Sequence, residues 1–479
     1  MRLFVRGRLS VPRLALGFVL ALTVANLAAA DVIVLKSGRR IEAWNIEEKG
    51  DRIYYETPHG RLDIPRRVVE RIERSGAGPR WSSDGNANPL PKLNLPAASD
   101  AEVARVVEGG QVNRQLLAEM ERAARGSGSA AARERAAAAH ALVAQHLYGR
   151  SDLQGAAESL QRALRFAPRE PLLLLNAATL EAERQRFDAA LGRLRTLRAQ
   201  DEYLFEAYRL EGWIHYLRDD MVRAQRAWKK ALAERSDAEV EGLLARAQQE
   251  AGAAEDFRGR ASGRFLLRYD GGELASRRLA TRILRFLDSD FDSMVSTFDF
   301  LPREPLVVIL YPQETFYELT GVPLQVHGLF DGKIRVPVRG LVSLTPSLER
   351  VLRHELVHAF VHLKTRGRAP RWLHEGLAQW TAGQRPPVSA QAFRPLFEPR
   401  DGSALPRIEA GFAGDAMQVS SAYAAAWVVV DALEQRYGRG DMEEFLEALG
   451  SGGSQAAALR AAYRLTFTDL DREVYNRLR

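Results

Sequence analysis

The middle of the chain repeats its apolar residues at an interval of 34 positions, and this interval restricts the local fold more than any other feature. Residues 99–255 are also rich in Ala, Leu, Arg and Glu, which favour helices. Small residues at fixed positions allow paired helices to approach closely, and larger ones fill the gaps between pairs. The sets spaced by 34 residues are Leu153, Phe187 and Met221; Ala156, Ala190 and Ala224; Leu160, Leu194 and Trp228; and Ala163, Leu197 and Ala231. The sequence therefore predicts a mainly α protein with stacked helix pairs at its centre.

A helical period of this length resembles the tetratricopeptide (TPR) repeat. Pro168 falls where that family ends the second helix of a unit, and Gly212 falls at its small position in the first helix. Glu181 and His215 stand where an aromatic residue is common, so the number of repeats stays open. The resemblance implies a TPR-like array over residues 99–255 that binds a protein partner. A helical spacer that binds nothing is the alternative.

The N-terminus has the parts of a secretory signal peptide. Arginines precede an apolar run at residues 14–27, which closes with three alanines before Asp31. This run is shorter than the roughly 20 residues that span a bilayer. We therefore predict a signal peptide at residues 1–30 and a periplasmic or secreted bacterial protein, with an uncleaved signal anchor as the alternative. No later stretch is apolar for long enough to predict a membrane span.

Charge and cysteine content restrict the partners and the means of stabilisation. The formal net charge is +7, but Arg2, Arg6, Arg8 and Arg13 lie in the predicted signal peptide, which leaves +3 for the rest. That is too little to predict a nucleic-acid partner. The chain has no cysteine, so an exported form must be held by core packing or metal rather than by disulfides.

A small β module is predicted between the signal peptide and the helices. Short apolar runs alternate with Gly- and Asp-containing turns over residues 31–74, which indicates short antiparallel strands. This stretch resembles the SH3-like modules of exported bacterial proteins, and both a binding role and a structural role stay open. Residues 75–98 are rich in Gly, Pro and Asn without periodicity, which predicts a linker.

Residues 260–479 are predicted to form a separate α+β domain. A long amphipathic helix at Leu274–Phe300 follows the first strand. Pro337 lies within the last strand, which suits an edge strand rather than a central one. The predicted strands are Arg264–Tyr269, Pro305–Tyr311 and Ile334–Val338.

The helix that follows Thr345-Pro346 carries the sequence His354-Glu355-Leu356-Val357-His358. Histidines four residues apart lie on one helical face, so both imidazoles can reach one ion. Catalytic zinc takes three protein ligands and a water, and Glu355 is placed to act as general base towards that water. His362 lies about 12 Å along the helix from His354, too far to bind the same ion, and is predicted to be a packing or surface residue.

A second segment contains the candidates for the third ligand. Residues 372–378 read Trp-Leu-His-Glu-Gly-Leu-Ala after a Gly- and Pro-containing break. Together with the histidine motif, this segment resembles the gluzincin peptidases of the MA clan, in particular the exported bacterial type. The resemblance implies that His354, His358 and Glu375 bind Zn²⁺ and that Glu355 is the general base. His374 is the rival ligand.

The resemblance also implies roles around the metal. Gln379, one turn after the third ligand, is expected to orient a ligand histidine. Tyr423 is expected to hydrogen-bond the tetrahedral intermediate, with a packing role as the alternative. The edge strand at residues 334–338 is expected above the metal, where it pairs with an extended peptide. Lys333 and Arg335 are expected to bias the charge of the substrate or to face solvent.

These features predict a multidomain, mainly α protein with an SH3-like module, a TPR-like array and a zincin-type peptidase domain. Its expected function is that of an exported zinc metallopeptidase, in which zinc-bound water attacks peptide bonds of peptide or protein substrates. A repeat-based scaffold with a metal-binding but inactive peptidase-like domain is the alternative. A zinc hydrolase acting on non-peptide substrates is a third reading, since ligands alone do not fix the substrate.

Overall fold

The computed structural model describes most of the chain after the predicted signal peptide, which lies outside the described residues together with most of the predicted linker. The chain divides into two compact units, Met1–Ala77 and Gly78–Arg479. The described residues are 31–35, 40–49, 52–57, 60–73, 93, 95, 100–150, 152–271, 274–320, 322, 326–338, 341, 343–386, 389–398, 403–414 and 416–478.

The first unit contains an antiparallel sheet with the strand order β4-β3-β2-β1-β5. Its small core consists of Ile33, Ile53 and Val69. A 3₁₀ turn at Arg66–Val68 precedes the last strand. The resemblance to SH3-like modules stays a prediction. The strands are β1 (Asp31–Leu35), β2 (Arg40–Lys49), β3 (Arg52–Thr57), β4 (Gly60–Pro65) and β5 (Val69–Glu73).

The second unit begins with a helical array that also contains a short hairpin of two strands, β6 (Val107–Glu108) and β7 (Gln111–Val112). Leu95, within the predicted linker, is buried in the core of this array. The helices are α1 (Ala101–Ala104), α2 (Arg114–Gly126), α3 (Ala130–Gly149), α4 (Leu153–Phe166), α5 (Pro171–Glu183), α6 (Phe187–Arg198), α7 (Leu204–Leu217), α8 (Met221–Glu234) and α9 (Ala238–Ala253).

The interval of 34 residues corresponds to buried positions on α4, α6 and α8, except for Met221, which is partly buried. These helices pack on α3, α5 and α7, respectively. Gly212 of α7 permits one such close approach, because a Cβ there would lie 2.8 Å from Cε2 of Trp228. The indole of Trp228 donates to the carbonyl of Arg209 at 3.1 Å, which satisfies its buried polar atom. Membership of the tetratricopeptide family stays a prediction.

The rest of the second unit combines a mixed sheet with helices. The sheet order is β11-β12-β10-β9-β8, in which β9, β10 and β12 are parallel and the outer strands β8 and β11 are antiparallel to their neighbours. The strands are β8 (Phe257–Ala261), β9 (Phe265–Asp270), β10 (Leu306–Tyr311), β11 (Leu329–Phe330) and β12 (Ile334–Pro337). A 3₁₀ helix at Ala390–Phe397 accompanies the α-helices. These are α10 (Leu274–Phe298), α11 (Gln313–Thr320), α12 (Pro346–Thr365), α13 (Arg371–Thr381), α14 (Ala404–Gly411), α15 (Ala416–Tyr437), α16 (Arg439–Gly450), α17 (Gln455–Tyr463) and α18 (Phe467–Arg477).

Two predictions about the last strand were wrong. β12 is not the edge strand, because β11 pairs with its first half on one side while β10 pairs along it on the other. Lys333 and Arg335 do not face solvent or a substrate, since both are fully buried. They form ion pairs with acidic residues of the helical array. Because these partners lie far away in sequence, the residues around Lys333 and Arg335 did not predict the burial.

Helix α10 packs against α12 through an ion pair and aromatic contacts. Arg353 of α12 forms a bidentate ion pair with Asp290 of α10, with N–O distances of 2.7 and 3.0 Å. Phe291 and Phe298 of α10 pack against Phe360 of α12 with ring centroids 5.3 and 6.0 Å apart.

Among the described helices, none is apolar over a length that would cross a membrane.

Candidate metal centre

Helix α12 places two histidines on one face. Thr345 caps the helix by accepting a hydrogen bond from the amide of Leu348 at 3.2 Å, and Pro346 occupies its first turn. The helix packs into the core through apolar residues, which fixes its rotation. His354 and His358 remain partly accessible, with side chains 15% and 13% exposed. The fully buried apolar residues of this helix are Leu352, Leu356, Val357, Ala359, Phe360 and Val361.

Helix α13 delivers Glu375. Its N-terminus is capped from a distance, since the carboxylate of Glu409 accepts from the amides of Arg371 and Trp372 at 3.0 and 3.1 Å. Gly376 permits close packing on α15, because a Cβ there would lie 2.6 Å from the carbonyl oxygen of Ala426. The glycine of the Trp-Leu-x-Glu-Gly-Leu-Ala segment therefore has a packing role. It lets α13 lie deep enough to bring Glu375 to the histidines.

Three donor atoms converge at this point. Nε2 of His354 and Nε2 of His358 are 3.1 Å apart, and they lie 3.6 and 3.5 Å from Oε2 of Glu375. Tetrahedral zinc with bonds of about 2.0–2.1 Å holds its ligand atoms about 3.3 Å apart, so the triangle has the size that the ion requires. Oε2 of Glu375 is buried and has no hydrogen-bond donor among the described residues, as expected of an oxygen that binds a metal.

Glu355 lies beside this triangle. Its side chain is buried, and Oε2 has no hydrogen-bond partner in the part of the chain that the structure describes. The backbone of Gly328, just before β11, covers it so closely that a Cβ there would lie 2.7 Å from Cγ of Glu355. The outer strand and the carboxylate therefore form one wall of the site.

Residues 347–478 match the family model described as Peptidase MA superfamily. This stretch is thus a zincin-like domain of the MA clan, and it contains α13–α18 and nearly all of α12. We call it the MA domain. Peptidases of this clan are typically zinc-dependent, and the donor set above suits that ion. A search of curated proteins finds no match to the chain.

The electrostatics of the MA domain favour a cation at the triangle. Burial opposes ionisation of Glu375, but the facing histidines His358 and His354 hold its pKa well below the usual range. Burial also opposes the charged form of His354, yet Glu375, Glu355 and Gln384 raise its pKa. Burial raises the pKa of Glu355. The centre therefore keeps an ionised carboxylate against two imidazoles, which is a ligand set for a divalent ion.

A glutamine orients one ligand, but it is not the one predicted from sequence. Nδ1 of His354 lies 2.8 Å from Oε1 of Gln384, just beyond α13. Gln379 instead donates to the backbone carbonyls of Glu375 and Tyr423, both at 3.0 Å, so the expectation that it orients a histidine was wrong. Its amide points along α13 to α15 rather than to α12. No spacing in the sequence identified Gln384 as the partner of His354, because the chain turns back after α13.

Tyr423 of α15 contacts the third ligand. Its hydroxyl donates to Oε1 of Glu375 at 3.2 Å, which leaves Oε2 to face the histidines. Burial, and then the charge of Glu375, raise the pKa of Tyr423, so the phenol stays protonated and remains a donor. In this arrangement Tyr423 orients a ligand. Its predicted contact with a reaction intermediate is not tested by this geometry.

The remaining histidines of the two helices lie outside the donor triangle. His374 is buried behind His358 with ring centroids 5.6 Å apart. His362 packs against Phe330 of β11 at 5.4 Å. Within the described residues, the group that converges to bind a metal contains neither of them.

Proposed function

We propose that this protein is a zinc metallopeptidase of the gluzincin type, with His354, His358 and Glu375 as ligands and Glu355 as general base. The observation that carries the proposal is the convergence of the three donor atoms beside the buried carboxylate of Glu355, which lies on the same helix as the two histidines. A scaffold that only held a metal would need the ligands but not Glu355. The match of the MA superfamily to this part of the chain supports the same reading.

The proposed roles follow from the positions of the side chains. Bound zinc supplies a Lewis acid and acidifies a water molecule. Glu355 accepts the proton of the attacking water and delivers it to the leaving amine nitrogen. Gln384 and Tyr423 act as positioning residues that hold His354 and Glu375.

We propose that an extended peptide lies along β11 rather than β12. β11 is the outer strand on this side of the described sheet. The backbone of Gly328, just before β11, packs closely against the side chain of Glu355. Backbone pairing at a sheet edge is sequence-tolerant, which suits peptide and protein substrates.

The first experiment measures metal content and cleavage of unstructured peptides by purified protein. The variants are Glu355→Gln and His358→Ala, with Arg350→Ala, an exposed position on the same helix, as the control. We expect one zinc per chain in wild type, Glu355→Gln and the control, and loss of zinc in His358→Ala. Cleavage should occur only in wild type and the control. No zinc in reconstituted wild type would refute the metal centre, whereas zinc without cleavage of any peptide would favour the scaffold alternative.

Export is part of the proposal, and it rests on the arginines and the apolar run of residues 1–30. N-terminal sequencing of protein recovered from the periplasm or medium should begin at Asp31. Recovery only from the cytoplasm with an intact N-terminus would refute export. Recruitment of a protein partner by the array is also a proposal, and it needs a face of the array that the sheet does not cover.

A further inference from the structure

A cluster of buried and partly buried charges joins the helical array to the sheet beside the candidate metal centre. Four basic and three acidic side chains take part, although this region lies outside the proposed chemistry. We call it the junction cluster; its members are Asp219, Arg246, Glu250, Arg268, Asp331, Lys333 and Arg335.

Arg335 of β12 is the most highly connected member. Its guanidinium contacts Glu250 of α9 at 3.0 Å and the hydroxyl of Tyr216 of α7 at 2.9 Å. It also bonds Asp331 at 3.0 Å and the hydroxyl of Tyr311 of β10 at 2.9 Å. One fully buried side chain thus links two helices of the array with two strands of the sheet.

Lys333 makes the second connection. Its ammonium lies 3.0 Å from Asp219, which follows α7, and 3.5 Å from Glu250. It also lies 4.0 Å from the ring centroid of Tyr216, a cation–π contact. Asp219 bonds Arg268 of β9 at 3.1 Å as well, so the array contacts a third strand.

The turn between β11 and β12 sits directly on the array. Arg246 of α9 forms an ion pair with Asp331 at this turn. Gly332 adopts a φ of 99°, and a Cβ there would lie 2.9 Å from Leu217 of α7. The positive φ favours glycine at this position, where the turn contacts α7.

Such a cluster is better explained by positioning than by stability. Burying charges is costly, and a well-packed apolar contact would hold two parts of a protein at least as tightly. Buried ion pairs and their hydrogen bonds instead select one geometry, because a displaced partner leaves a charge without compensation.

The geometry that the cluster selects includes the catalytic wall. Asp331 lies three residues after Gly328, whose backbone covers Glu355, and only β11 separates them. The same junction continues at a second place, where Arg218 after α7 bonds Glu304 at 2.9 and 3.1 Å. The side of the array formed by α7 and α9 is therefore occupied by the protein's own sheet.

We propose that the helical array contributes to catalysis by positioning part of the sheet. Glu250 acts through Arg335 and Lys333 and holds the β11–β12 hairpin against Glu355. Its catalytic consequence rests on the proposed function, whereas the positioning itself does not. Glu250 is a positioning residue, since it touches neither the ligands nor Glu355.

The test compares the full zinc-loaded chain with Glu250→Gln, which removes one charge and keeps the shape. Hydrogen exchange followed by mass spectrometry reports on amides of residues 328–336. We expect exchange there to become about tenfold faster or more, as loss of one partner of a buried pair should loosen what it holds. Zinc content should stay at one per chain while kcat falls about tenfold because the wall beside Glu355 shifts.

Glu241→Gln is the matched control, because Glu241 lies on the exposed side of the same helix. It should change neither exchange nor kcat. Should Glu250→Gln fail to fold, Arg246→Met provides the same test, since it removes the partly exposed ion pairs of Arg246 with Asp331 and Glu250 and keeps the buried carboxylate. Unchanged exchange at residues 328–336 in a folded variant would overturn the inference. A wild type that cleaves no peptide would refute the proposed function alone, because the exchange measurement does not depend on turnover.

Discussion

Replacing Gly328 by alanine perturbs the candidate catalytic carboxylate without touching a metal ligand. A Cβ at this position would lie 2.7 Å from Cγ and 2.8 Å from Cδ of Glu355, whereas ordinary contacts begin at 3.4 Å. Oε1 of Glu355 would lie closer still, so the carboxylate or the strand must move by at least about 0.7 Å. Since Glu355 is buried, it has little room to turn aside.

The size of this displacement sets the expected loss. A misplacement of about 1 Å in an active site can cost about 100-fold in rate. We therefore expect kcat/KM of Gly328→Ala to fall by about 10- to 100-fold, which corresponds to about 1.4–2.7 kcal/mol of transition-state stabilisation. Zinc affinity should be unchanged, because the triangle of donor atoms is supported by α12 and α13.

The assay is steady-state cleavage of a fluorogenic peptide, with zinc affinity measured by competition with a chelator. Gly440→Ala is the matched control, since a Cβ there meets no atom of the described residues within 4 Å and the backbone is not in the left-handed region. A kcat/KM within threefold of wild type for Gly328→Ala would refute the role of this backbone contact. Loss of zinc together with activity would place the effect on the ligands instead.

Three further predictions concern other contacts. Gln384→Leu should weaken zinc binding about 10- to 100-fold in a chelator titration, because it removes the acceptor that orients His354. Trp228→Ala should lower the free energy of unfolding by about 3–5 kcal/mol in a denaturant titration, since its side chain is fully buried. Burial alone would raise the pKa of Glu250, but Arg335 and its neighbours lower it to about 2. The stability advantage of wild type over Glu250→Gln should therefore shrink as the pH falls from about 4.3 to about 2.

Each of these results has a clear opposite. Unchanged zinc affinity in Gln384→Leu would mean that the imidazole is held by its helix alone. A loss well below about 1 kcal/mol in Trp228→Ala would mean that the array does not unfold with the transition observed. A stability difference that stays constant with pH would mean that Glu250 is not ionised in the folded protein.

The helical array shows one feature that the sequence predicted, the paired helices, and one that it did not, the side covered by the sheet. Its interval of 34 residues predicted paired helices, because helix packing needs the same small and large side chains at the same place in each unit. The interval said nothing about which side of the array would be covered. That side meets the sheet through Glu250 and Asp219, and the complementary charges Arg335 and Lys333 lie more than 80 positions away from Glu250.

What the sequence determined by itself is local. The mainly helical architecture and the C-terminal MA domain were predicted and are confirmed, since helical periodicity and the spacing of His354 and His358 are properties of a single helix. Tertiary structure alone decided which strand lies at the edge, that Gln384 rather than Gln379 reaches His354, and that Arg335 is buried. The physical reason is that each of these depends on contacts between segments far apart in sequence. Their pairing is set by packing of the whole unit and leaves no spacing that can be read along the chain.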